Sequence, residues 1–225
     1  MNAFDELRTG FTAAVSHELR TPLARILALL ESAELPGADV PELLDQARAE
    51  VENAGALIDE ILFLSELEGG REVVSLGHTT ALPLLEEVVA QEEAAAARAG
   101  VGLRVTGGGT VEVPLRPRML RILAENLTEN AIRYAGHGAT FTLSVERAGD
   151  FAVLTAADDG VGVAEASLPR IFERFYRGDA ARTSRGTGLG LAIVKHLVAA
   201  AGGEVHADGG RGRGLRIRCV FPLAG

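Results

Sequence analysis

The sequence predicts an α+β protein in two parts. A dimerising two-helix hairpin at residues 1–68 would form a four-helix bundle in the dimer, and an α/β sandwich would follow at residues 69–225. Two long apolar stripes at helical spacing fill the first part. Gly69-Gly70 closes them, and beyond it the texture changes to short β-rich runs mixed with helices, the pattern of helices covering one face of a mostly antiparallel sheet.

The first stripe runs from Phe4 through Leu7, Phe11, Val15, Leu19, Pro22, Ile26, Leu29 or Leu30 and Ala33, in steps of three and four that give one helix of about 30 residues. Leu35-Pro36-Gly37-Ala38-Asp39 stops it, Pro41 suits the first turn of a new helix, and Leu44, Ala47, Val51, Ala54, Ile58 and Ile61 form the second stripe. Two helices cannot hide two such stripes against each other alone, so a second copy is expected to complete the bundle. After the hairpin, strands are expected at 73–76, 103–106, 140–147, 151–156, 203–207 and 215–221. Helices are expected at 80–98, 118–134 and 189–201.

Composition narrows the function classes. A net charge of −9 with a pI near 5.1 argues against a nucleic-acid backbone or an anionic membrane surface as the main partner. Cys219 is the one cysteine, expected in a buried strand. It suits a reducing compartment and a cytoplasmic location. No apolar run approaches the roughly 18 residues of a membrane span, and Asp5 and Glu6 do not suit a signal peptide.

Chemistry-bearing residues collect in a few places. In Ser16-His17-Glu18-Leu19-Arg20-Thr21-Pro22, His17 and Thr21 are four residues apart and share a helix face. Pro22 cannot donate to the carbonyl of Glu18, so the helix is expected to bend after His17. In the helix at 118–134, Asn126 and Asn130 are one turn apart, with Arg133 and Tyr134 following. An amide oxygen so placed can hold a hydrated Mg²⁺ beside phosphate oxygens, while such a pair on a helix is more often solvent-facing or capping. Asp158-Asp159-Gly160-Val161-Gly162-Val163 ends a strand. Its glycines let backbone approach a flat ligand and a carboxylate can accept from an exocyclic amine, with a plain turn as the competing reading. Gly186-Thr187-Gly188-Leu189-Gly190-Leu191 opens an apolar helix, and amides at a helix start suit phosphates. It is neither a dinucleotide fingerprint nor a Walker loop, since Leu191 and Ile193 stand where glycine would be needed and no Gly-Lys-Ser or Gly-Lys-Thr occurs. Between these lies Ile171-Phe172-Glu173-Arg174-Phe175-Tyr176-Arg177-Gly178, whose aromatics are expected in the core while Arg177 points at phosphate. Residues 178–185, small and polar, read as a mobile lid.

Together these stretches resemble the cytoplasmic catalytic core of a two-component sensor histidine kinase. Residues 17–22 resemble its H box, 125–134 its N box, 158–163 its first glycine box, 171–177 its F box and 186–191 its second glycine box, in family order over nearly the whole chain. The resemblance implies a dimerisation and phosphotransfer hairpin followed by a Bergerat-type ATP-binding domain. It implies that His17 takes the γ-phosphoryl group of ATP and passes it to an aspartate on a response regulator. Carried over position by position, Asn130 ligates Mg²⁺, Asn126 supports the phosphates, Arg133 contacts them and Tyr134 stacks near adenine. Asp158 binds the adenine amine, selected over Asp159 by the family spacing Asp-x-Gly-x-Gly, in which Gly160 and Gly162 follow. Arg177 and the amides of Gly186, Thr187, Gly188, Leu189 and Gly190 complete the nucleotide site. Glu18 assists proton removal from His17, although adjacent helical side chains do not face each other. Thr21 positions water for dephosphorylating the regulator. Arg116-Pro117-Arg118 departs from the pattern, which often has an acidic residue there.

Two rivals are an ATPase clamp of the same nucleotide-binding superfamily and a degenerate, non-enzymatic scaffold. The clamp resembles this chain around Asn130 but needs a glutamate one turn earlier as base for water. Asn126 occupies that place, and Glu125 points well around the helix. A scaffold would be favoured by decayed boxes, and none has decayed.

Overall fold

The computed structural model describes residues 3–68, 77–178 and 186–223, with side chains from Val15 onward. The chain divides into two compact units at residues 1–65 and 66–225. The expected strand at 73–76 and most of the stretch read as a lid, 179–185, lie outside the described residues.

The first unit is a helical hairpin of α1 (Ala3–Ala33) and α2 (Val40–Glu68). Pro22 lies inside α1 and does not end it. Asp39 Oδ1 accepts from the Glu42 backbone N–H at 3.3 Å, and this three-residue reach caps the start of α2. Ala47, Leu57 and Leu64 of α2 are buried. A second apolar row stays exposed, namely Leu23, Leu27 and Leu30 on α1 with Leu44, Val51, Ile58 and Leu62 on α2. Leu44, Val51 and Ile58 are spaced by seven, the repeat of a helix seam that packs on another helix.

The second unit runs β1 (Thr79–Thr80), α3 (Ala81–Ala99), β2 (Gly102–Gly107), β3 (Glu112–Val113), α4 (Pro117–Tyr134), β4 (Thr140–Ala148), β5 (Phe151–Asp158), a 3₁₀ turn (Glu165–Arg170), α5 (Gly190–Ala200), β6 (Glu204–Gly209) and β7 (Leu215–Pro222). Among the described residues five strands pair in the order β2-β4-β5-β7-β6. Only β2 and β4 run parallel, because the crossover carrying α4 returns the chain in the same direction, and every other neighbour in this sheet is antiparallel. Alternation sorts the two faces. Phe141, Leu143 and Val145 of β4 and Ile217, Cys219 and Phe221 of β7 are buried with Leu120, Leu123 and Leu127 of α4 and Ile193, Val194 and Leu197 of α5. On the opposite face, register aligns Thr106, Ser144, Thr155, Arg218 and His206 in one polar row. Burial pushes the Cys219 thiol up to about 12, so it behaves as a small apolar residue.

The helix and sheet expectations that fall on described residues agree with these elements to within two residues at each end. Pro117 occupies the first turn of α4, where its missing N–H costs no hydrogen bond, and extended Arg116 (φ −64°, ψ 153°) precedes it. The basic departure noted above is therefore a proline-started helix. Two features differ from expectation. The two-residue strands β1 and β3 pair antiparallel, a contact too short to leave a periodic signal. The aromatics Phe172, Phe175 and Tyr176 are half-exposed rather than core, because residues 171–175 form successive turns and 176–178 continue without a strand or helix. Arg170 lies over the Tyr176 ring at 4.5 Å from its centroid, which covers that face with a cation instead of apolar packing.

Candidate functional site

In the first unit, Thr21 Oγ1 donates to the His17 carbonyl oxygen at 3.4 Å, which keeps the hydroxyl on the histidine's face. His17, Arg20, Thr21, Ala24, Arg25 and Ala28 line a shallow groove of ≈ 440 Å³. Glu18, adjacent in sequence, does not line this groove, although it shares a helix row with Thr21 and Arg25. Arg25 pairs with Glu50 of α2 at 3.5 Å, and the Glu50 side chain is 6% exposed. This ion pair ties the two helices together alongside the histidine's groove.

In the second unit, packing of α4, α5, the residue 158–163 turn and the β6–β7 turn brings together segments that are far apart in sequence. Asn126 Nδ2 donates to the Ile122 carbonyl at 2.8 Å. That bond turns Oδ1 toward the start of α5, where a Cβ on Gly190 would stand 2.5 Å from it. Glycine is required there because any side chain would collide with the amide. Beside Gly186 lie the Tyr134 hydroxyl and an Arg133 guanidinium nitrogen. The end of α4 therefore meets the beginning of the glycine-rich stretch. Thr187 Oγ1 accepts from the Leu189 N–H at 3.2 Å, and Gly188, at φ +71°, accepts through its carbonyl from the Phe175 N–H at 2.9 Å. Phe175 itself has φ +59°, and its N–H bond to Gly188 ties the aromatic turn to the glycine-rich stretch. Arg177 follows on that turn, with its Nε shielded from solvent. Asn130 sits one turn beyond Asn126, half-exposed.

The Asp158 turn is held on both sides. Val161 donates to the Ala135 carbonyl at the end of α4 at 2.9 Å, while Gly212 donates to Val161 O at 2.8 Å and Gly214 to Gly160 O at 3.1 Å. Asp158 Oδ1 accepts from the Gly160 N–H at 3.0 Å. Burial raises the Asp158 pKa above its ordinary value, opposed by N–H donation from Gly160 and Leu215. Asp159 instead accepts from the Thr140 N–H at 2.6 Å, so it fastens the turn to β4. Sequence reasoning missed the turn at 209–214, although Gly-Gly-Arg-Gly-Arg-Gly between two strands was a usable signal. Burial also raises Glu125, modulated by Arg121, Glu129 and Glu92 of α3. Glu125 stands one helical turn beyond Arg121, whose guanidinium bonds Glu87 of α3 at 2.8 Å, so this row of α4 lies toward α3, while Asn126 faces α5. The residues fit a nucleotide with a divalent cation. Asn126 presents an amide oxygen at a helix start that has been kept clear of side chains, and a partly buried carboxylate lies on the neighbouring turn.

Residues 7–70 match the family model described as His Kinase A (phospho-acceptor) domain, and residues 115–225 match that described as Histidine kinase-, DNA gyrase B-, and HSP90-like ATPase. Over 221 residues the chain is 32% identical to the sensor-like histidine kinase SenX3 of Mycobacterium tuberculosis, an alignment that covers 96% of this chain and 54% of that one. The chain belongs to the sensor histidine kinase family. Its H box lies in the first match, and its N, F and two glycine boxes lie in the second, so the family read from five motifs is the family found. This histidine kinase chain shares its fold with Acinetobacter baumannii histidine kinase AdeS, at a TM-score of 0.76 and 23% identity over 93% of this chain and 98% of that one. It also shares the fold of histidine kinase ThkA, solved in complex with response regulator protein TrrA, at a TM-score of 0.74 and 19% identity over 96% of this chain and 61% of that one. The chain spans about half the length of the curated relatives it matches. Among the described residues no helix is long and apolar enough to cross a membrane.

Proposed function

We propose that this chain is a histidine kinase core in which His17 accepts the γ-phosphoryl group of ATP and passes it to an aspartate of a response regulator. In this reading it also serves as that regulator's phosphatase. The observation that carries the reading is the meeting of Asn126 with Gly190, which aims an amide oxygen at the open start of a glycine-led helix. Mg-ATP, when bound, supplies the phosphoryl group. Asn130 would hold Mg²⁺ through its amide oxygen while Asn126 steadies the phosphates. Arg133, Arg177 and the amides of Gly186, Thr187, Gly188, Leu189 and Gly190 would neutralise their charge. Asp158 would accept from the adenine amine, Gly160 and Gly162 leave room for the ring, and Tyr134 would stack near it. Glu18 would take the proton from His17, and Thr21 would hold the water that dephosphorylates the regulator. Activation of water by Glu125, as an ATPase clamp would need, is disfavoured by its place on the row of α4 that lies toward α3.

The exposed row of Leu23, Leu27, Leu30, Leu44, Val51, Ile58 and Leu62 supports a homodimer, since burial of each such side chain contributes roughly 1.5–3 kcal/mol. The division of labour is proposed as 1–68 for dimerisation and phosphotransfer and 69–225 for nucleotide binding. The ThkA complex with a response regulator supports a receiver domain as partner. A cytoplasmic kinase part attached to a larger sensor suits the half-length match to the relatives. Incubation with Mg-ATP should place an acid-labile, base-stable label on the chain, and His17→Gln should remove it. Label that persists in the variant overturns the assignment.

A further inference from the structure

We infer that Arg213, clamped to Glu165, is a positioning residue for the nucleotide site, holding the β6–β7 turn against residues 158–163 so that the Asp158 carboxylate is aimed. The inference rests on the proposed nucleotide site and adds a residue to it. Arg213 Nη2 donates to Glu165 Oε1 at 2.6 Å and to the Gly209 carbonyl at 3.2 Å. One guanidinium therefore joins the end of β6 to the first residue of the 3₁₀ turn that follows the Asp158 loop. Between these anchors the backbones are stitched by Gly212 N–H to Val161 O at 2.8 Å and Gly214 N–H to Gly160 O at 3.1 Å, with Arg213 N–H closing the turn on Gly210 O at 2.9 Å.

The geometry reaches Asp158 through its donors. Its carboxylate accepts from the Gly160 N–H at 3.0 Å, and Gly160 is itself held to the β6–β7 turn by the Gly214 N–H at its carbonyl. A donor whose own peptide is tied to a neighbouring segment fixes a carboxylate's direction only while the two segments keep their spacing. Glycines at 209, 210, 212 and 214 leave the turn little stiffness of its own, so a charged side chain that spans it sets the spacing. Both side chains of the pair are exposed, at 65% and 74%, so the clamp is weak as a contribution to global stability and its effect is local.

The test uses the full chain and the variants Arg213→Ala, Glu165→Gln and the exchange Arg213→Glu with Glu165→Arg. Titration of Asp158 by carboxyl NMR in nucleotide-free protein should show its midpoint raised further in either single variant, because loosened donors no longer favour the charged form. ATP binding by calorimetry should weaken roughly threefold to fivefold, the reach of an exposed pair, and the exchange should restore both readouts. An unchanged Asp158 midpoint in Arg213→Ala and Glu165→Gln, or an exchange that leaves both defects in place, overturns the inference. The titration needs no nucleotide, so it can succeed even where the wild-type chain binds no ATP, an outcome that would overturn the nucleotide reading instead.

Discussion

Asn126 and Gly190 meet across the packing of α4 on α5 so closely that the smallest possible side chain at 190 would stand 2.5 Å from the amide oxygen. Asn126 cannot retreat without breaking its own 2.8 Å bond to the Ile122 carbonyl. Gly190→Ala should therefore move the start of α5 or the amide. Overpacking of this kind costs about 1–3 kcal/mol, which predicts a loss of roughly tenfold or more in ATP affinity with the fold retained. Calorimetric titration with ATP checks it, and wild-type affinity would show that the contact relaxes without consequence.

Asp158 gives a pH dependence whose sign differs for binding and for folding. Burial raises its pKa, so on acidification it takes up a proton sooner than an ordinary aspartate and loses the charge that attracts an exocyclic amine. ATP affinity should begin to fall at a higher pH than an ordinary aspartate would dictate. Asp158→Asn should bind weakly at every pH, with this step missing. For the fold, the contribution of this carboxyl to stability is full below the ordinary aspartate value and lost as pH rises through the raised one. Affinity measured from pH 7.5 to 4.5 in both proteins checks the first sign, and thermal melts over the same range check the second.

Thr21 separates two activities. Its hydroxyl is fastened to the His17 carbonyl and belongs to the hairpin, whereas the proposed nucleotide residues belong to the second unit. Thr21→Ala should slow dephosphorylation of the regulator about a hundredfold, the lower end of what a positioned group provides, while label uptake from Mg-ATP stays near wild type. Equal losses in both assays would show that Thr21 serves the helix and not the water.

The exposed heptad row predicts the oligomeric state. Val51→Glu with Ile58→Glu places two charges in the proposed dimer seam without touching the buried Ala47, Leu57 or Leu64. Sedimentation at micromolar concentration should show a dimer for the parent chain and a monomer for the variant. ATP binding in the second unit should be unaltered. A parent chain that sediments as a monomer would remove the four-helix bundle.

The sequence by itself determined what depends on neighbours along the chain. Helical stripes, the Pro36-Gly37 break, strand alternation in 140–148 and 215–222, and the boxes around His17, Asn130, Asp158 and Gly188 are all short-range patterns. Each is written in side-chain spacing or in the turn preferences of glycine and proline. Only the tertiary structure decided which segments touch. It paired β2 with β4 in parallel through the α4 crossover, set Asn126 against Gly190, turned the Glu125 row of α4 toward α3 and left Tyr176 half-exposed beneath Arg170. It also tied Gly160, the donor to Asp158, to the β6–β7 turn and recruited Arg213 and Glu165, which no motif had marked. These contacts join residues far apart in sequence. They follow from how amphipathic surfaces pack around one core, and local periodicity carries no record of that choice.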